Sequence, residues 1–123
     1  MKTTHRALAL LLLLAGASAA ASGCNVLELD QATCPPGGTE LTYENFGQTF
    51  FGAYCNECHS QPDGMRQGAP DSYVFGTLAE IQANKARIYA DSAGTNNSMP
   101  PGPDDPPLAQ RDKLGEWLAC GAP

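Results

Sequence analysis

The sequence predicts a small all-α domain of about three to four helices. Three observations carry this. Apolar residues recur three and four apart in three separate stretches, no stretch alternates apolar with polar over strand length, and segments rich in Pro and Gly divide the stretches. The first stretch opens at Leu41, with Thr42 as N-cap, and sets Tyr43, Phe46, Phe50 and Tyr54 on one face with Phe51 beside them. Gly47 and Gly52 are its weak points or its close-packing sites. The second begins at the capping-box pattern Thr77-x-x-Glu80 and carries Leu78, Ile81 and Ile88 to about Tyr89 or Ala90. The third runs from about Leu108 to Ala119, with Leu114, Trp117 and Leu118 as its stripe, and Gly121 and Pro123 stop it. Ser60 to Ser72 reads as a loop, and residues 94–107, with five prolines, are hostile to helix.

Residues 1–23 read as an export signal outside the fold. Lys2, His5 and Arg6 precede the apolar run Ala7 to Ala15, which holds six leucines, and small residues follow. Ala21-Ser22-Gly23-Cys24 resembles a bacterial lipobox, with Ala21 where leucine is usual, and implies a lipid on Cys24. Ordinary cleavage after Ala17-Ser18-Ala19 is the alternative. Residues 24–40, with Cys34-Pro35-Pro36-Gly37-Gly38, read as an irregular arm or linker, and residues 41–123 as the domain.

Beyond the signal the chain keeps five Lys and Arg against thirteen Asp and Glu, a net charge of −8. That balance argues against nucleic acid as a partner and suits docking to a basic patch, although solubility alone would also account for it. Only twenty-two large apolar residues remain, a thin core for one hundred residues.

Cys55-Asn56-Glu57-Cys58-His59 is the attachment signature of a c-type haem. Two thiols at this spacing can bond the two vinyl groups on one porphyrin edge, which brings His59 beneath the ring as an iron ligand. A zinc site or a redox dithiol are the rival readings of two such cysteines. His59 is the only histidine after the signal, so a second histidine ligand from this domain is excluded. Met65 lies six residues past His59, too near to reach the opposite face comfortably, whereas Met99 lies forty residues on, stiffened by Pro100-Pro101. Met99 is therefore the expected second axial ligand. Asn96-Asn97-Ser98 matches a glycosylation sequon and is read as chance.

A helix ending in this motif, a loop, a middle helix, a Met-Pro segment and a last helix with Trp117 resemble a class I c-type cytochrome over about residues 41–120. The resemblance implies a cytochrome c-like fold around one covalent haem c, bonded through Cys55 and Cys58, with His59 and Met99 on the iron. It implies that the first and last helices cross, which would set Phe46, Phe50 and Phe51 against Leu114, Trp117 and Leu118. It also implies a proline whose carbonyl steadies the proximal imidazole, with Pro70 the nearest match and Pro62 a weaker one. If those helices cross, a Cys34–Cys120 disulfide becomes geometrically plausible; pairing with Cys24, or free thiols, are the alternatives. A lipidated Cys24 would leave that pair even in number.

The expected function is single-electron carriage between redox partner proteins on the periplasmic side of a bacterial cell envelope, by a chain that is lipid-anchored to a membrane and is not itself an enzyme. Rivals are a haem-based gas sensor with Met99 off the iron, and the haem subunit of a larger oxidoreductase. Tyr43, Tyr54, Phe75 and Trp117 read as core. Lys85 and Arg87 read as a solvated helix face with haem propionates as a rival role, and Asp104 and Asp105 as exposed loop charges.

Overall fold

A computed structural model describes residues 26–62 and 65–123; the expected export signal and Cys24 lie outside them. The described residues form helices and irregular loops with no strand. Helix α1 spans Gln48–Tyr54, α2 Asn56–His59, α3 Leu78–Ala83, α4 Lys85–Ser92 and α5 Leu108–Ala119.

Five helices replace the expected three or four because two of the predicted stretches break locally. A π-helical turn, Tyr43–Gly47, leads into α1. It is started by a reciprocal cap in which Thr42 Oγ1 accepts from Asn45 N–H and Asn45 Oδ1 accepts from Thr42 N–H. At Cys55 the backbone turns to φ −121°, which interrupts the helical ladder and begins α2 as a separate turn. The middle stretch breaks at Asn84, φ −107°, whose side chain donates to the Glu80 carbonyl at 2.9 Å and competes for a helical acceptor. Thr77 and Glu80 form the anticipated capping box. Gly121, at φ +95°, ends α5: its N–H donates to Leu118 O, and Ala122 N–H donates to Trp117 O.

The core gathers Phe46, Phe50, Phe51, Phe75, Ile81, Ile88, Leu114, Trp117 and Leu118. The rings of Phe46 and Phe51 meet Trp117 at centroid distances of 5.9 and 6.2 Å, so the first and last apolar faces do pack together. Gly47 makes that approach possible. A Cβ there would stand 2.8 Å from Trp117 Cη2, inside contact distance. Gly52, in α1, faces open space. The Trp117 Nε1–H donates to Pro123 O, which also accepts from Tyr43 N–H, so the last carbonyl ties the start of the domain to its end.

The described part of the arm holds one short helical turn, Leu29–Gln31, and is docked rather than a free linker. Leu27 exchanges two hydrogen bonds with the Asn96 side chain, and Leu29 packs on the core. Asn96 is thereby buried, which closes its sequon to a glycan. Cys34 and Cys120 form a disulfide with Cα atoms 4.7 Å apart, 86 residues apart in sequence.

Gly47→Ala should destabilise the domain by about 1–3 kcal/mol through overpacking against Trp117. Gly52→Ala should stabilise it by up to about 1 kcal/mol through helix propensity. Urea melts of the two variants separate these outcomes, and equal effects would rule out the Gly47 contact as the cause. Replacing Cys34 and Cys120 together by serine should cost about 2–5 kcal/mol in the same assay.

Candidate functional site

Cys55, at the N-terminal flank of α2, stands three before Cys58 and four before His59, so this one turn brings the three side chains to neighbouring positions. The turn is closed by Cys58 N–H and His59 N–H, both donating to Cys55 O. The three residues line a cleft of about 230 Å³ with Tyr54, Tyr73, Phe75 and Ile88 among its apolar walls. Met99, Pro100 and Pro101 form the wall contributed by the loop between α4 and α5. Sequence positions 55 and 99 thus meet in one cavity, and Met65 lies outside its lining.

His59 is held in one tautomer. Its Nδ1 lies 2.7 Å from Tyr73 O. A carbonyl oxygen only accepts, so Nδ1 carries a proton, and in the neutral ring Nε2 is the nitrogen with the lone pair. The imidazole also stacks on Phe75, centroids 4.4 Å apart, and Phe75 N–H donates to His59 O. The ring is therefore fixed by its edge, its face and its own backbone.

The expected role of Pro70 is corrected here. Its carbonyl accepts from Tyr73 N–H and from Arg66 Nη2 at 2.6 Å, not from the imidazole. Pro70 opens the tight turn that delivers Tyr73 O to His59, so it acts one residue group further out. The sequence spacing located the right turn and the wrong carbonyl, because backbone acceptors carry no residue code.

Met99 is fixed through its backbone. Its N–H donates to Asp91 O at 3.0 Å, and its carbonyl accepts from Ser92 Oγ and Arg111 Nη1, each at 3.0 Å. The side chain is 41 % exposed and faces the cleft. Arg111, only 4 % exposed, holds the loop from inside: Nη1 also donates to Ser92 O and Asn96 O, and Nε to Pro106 O. The Asp105 carboxylate stands 3.7 Å from Nη2, and Asp104 and Asp105 are exposed as expected. Arg111 had a sequence signal that went unread. It lies three residues before Leu114 and seven before Leu118, on the buried stripe of α5.

Arg87 lines the cleft, pairs with Asp91 at 2.6 Å and lies over the Tyr73 ring. Of the expected core aromatics, Trp117 and Phe75 are buried, and Tyr43 and Tyr54 pack on the core at its edge. Burial pushes the Cys55 thiol up to about 12, against a smaller lowering by Arg111 and a further rise from Cys58. The surroundings of Cys55 thus favour an uncharged sulfur, which a thioether is.

These residues fit a covalently attached haem: two thiols three residues apart, an imidazole whose Nδ1 is engaged by a carbonyl, an exposed methionine on the facing loop, and apolar walls between. Among the described residues no group of three or more His, Cys, Asp and Glu side chains is arranged to hold a metal ion. No protein-family model matches the chain, and no curated protein or solved structure matches it either.

Arg111→Leu should strip four loop carbonyls of their buried donor and cost about 3 kcal/mol or more. Amide exchange should rise across residues 93–107 and stay unchanged in α1. Uniform loss of protection would show that Arg111 does not hold this loop specifically.

Proposed function

We propose that this chain is a monohaem c-type cytochrome that carries single electrons between redox proteins, with His59 and Met99 as the axial ligands. The observation that carries the reading is the His59 Nδ1 hydrogen bond to Tyr73 O. It leaves Nε2 as the lone-pair nitrogen in the one cleft that also gathers Cys55, Cys58 and Met99.

Bound through Cys55 and Cys58, haem c would supply one Fe(III)/Fe(II) couple. The chain's own residues supply the rest. Tyr73 O and Phe75 keep the imidazole from rotating, so little rearrangement accompanies a change of oxidation state. Asp91, Ser92 and Arg111 hold the Met99 backbone, so the thioether is presented rather than recruited. A thioether favours the reduced metal, which supports a raised potential. Two protein ligands leave no open position for substrate, and this favours electron carriage over catalysis.

Cysteine arithmetic supports an exported, lipid-anchored chain. With Cys55 and Cys58 given to haem and Cys34 joined to Cys120, Cys24 is the fifth and odd cysteine. No helix among the described residues is long and apolar enough to cross a membrane. The acidic balance favours partners that present basic patches.

Absorption spectra of the purified holoprotein in both oxidation states, with carbon monoxide added to the reduced form, test the reading. A low-spin spectrum with a sulfur-to-iron charge-transfer band and no reaction with carbon monoxide is expected. Ready binding would instead favour a gas-sensing haem with Met99 off the iron. Met99→Ala should admit carbon monoxide and lower the potential, and an unchanged potential would assign the second ligand elsewhere.

A further inference from the structure

Arg66 lies in the loop between α2 and α3 and is 6 % exposed. Its guanidinium is spent on backbone oxygens: Nε donates to Ala69 O, and Nη2 to Pro70 O and Tyr73 O. The Tyr73 oxygen is thereby shared. It accepts from His59 Nδ1 at 2.7 Å and from Arg66 Nη2 at 3.0 Å, which uses both of its lone pairs. Among the described residues the one carboxylate paired with Arg66 is Asp71, 4.0 Å from Nε and 87 % exposed, where water screens it. Burying a guanidinium is costly, and here it stands against the same oxygen that holds His59.

We propose that Arg66 is a positioning residue that biases the site toward its reduced state through the shared Tyr73 carbonyl. The inference rests on His59 being an iron ligand. A carbonyl polarised by a guanidinium is a poorer acceptor for the Nδ1 proton. The imidazole then gains less anionic character and donates less strongly through Nε2. Oxidation removes one electron from the site and leaves it more positive, and the nearby guanidinium opposes that gain directly. Both effects have one sign: with Arg66 in place, the electron accepted from a one-electron donor is held more tightly. No proton moves in this account; the Nδ1 proton stays on His59 and the guanidinium stays charged.

The test is potentiometric titration of the holoprotein and two variants, with spectra recorded at each end point. Arg66→Gln should shift the oxidised-to-reduced ratio at fixed potential tenfold or more toward oxidised, about 59 mV lower. Arg66→Lys, which keeps the charge, should recover part or all of that shift. The low-spin spectrum should persist in both. A Gln variant within twofold of the parent, about 18 mV, with its spectrum intact overturns the inference. Equal falls in the Lys and Gln variants, or altered ligation, reduce Arg66 to a structural role and overturn it as well. If Arg66→Gln does not assemble, Arg66→Met replaces it with the same expected fall, and a Met variant within twofold of the parent overturns the inference. Ready carbon monoxide binding by the unmodified protein would instead remove the ligation reading on which the inference stands.

Discussion

A loop cannot satisfy its own carbonyls as a helix does, and the two walls of the cleft that carry His59 and Met99 are finished by loops. Residues 65–76 and 93–107 must therefore borrow donors, and a buried guanidinium serves each. Arg66 gathers Ala69, Pro70 and Tyr73 oxygens on the side of His59. Arg111 gathers Ser92, Asn96, Met99 and Pro106 oxygens on the side of Met99. Planar, multiply donating and always charged, arginine suits this work where lysine would leave oxygens unpaired. The same two side chains place positive charge behind both walls of a cleft in an otherwise acidic chain.

The helices supply the frame that these loops complete. Trp117 sits against Phe46, Phe51 and the bare Cα of Gly47, and Pro123 O accepts hydrogen bonds from Trp117 and Tyr43 together. The Cys34–Cys120 bond fastens the arm to the end of α5, close to that crossing. A chain with few large apolar residues thus concentrates them at one crossing and adds a covalent link beside it. The cleft is left open on the other side of the same core, where Phe75 serves both as core residue and as the face on which His59 stacks.

This division accounts for the proposed chemistry. Electron carriage asks that ligand geometry change little between oxidation states, and each candidate ligand is held by several contacts to backbone or ring. His59 is restrained by Tyr73 and Phe75, and Met99 by Asp91, Ser92 and Arg111. Arg87 and Asp91 add a charge pair at the cleft where propionates of a bound haem would find a cation.

Local pattern was enough for the all-α class, the N-caps at Thr42 and Thr77, the stop at Gly121 and the spacing of Cys55, Cys58 and His59. Each of these is written in residue types a few positions apart, and the helical period turns them into geometry directly. The histidine and methionine counts narrowed the candidate ligands in the same way. The breaks at Cys55 and Asn84 escaped because they depend on backbone angles that many residues adopt. Tyr73 rather than Pro70 as the acceptor for His59, and the roles of Arg66 and Arg111, were decided only by tertiary structure. A backbone carbonyl looks alike at every position, and a cation reads as solvated surface until the fold closes around it. Sequence alone nominated the side chains that could carry the site's chemistry; the folded loops decided what holds them, because those contacts join groups with no shared pattern along the chain.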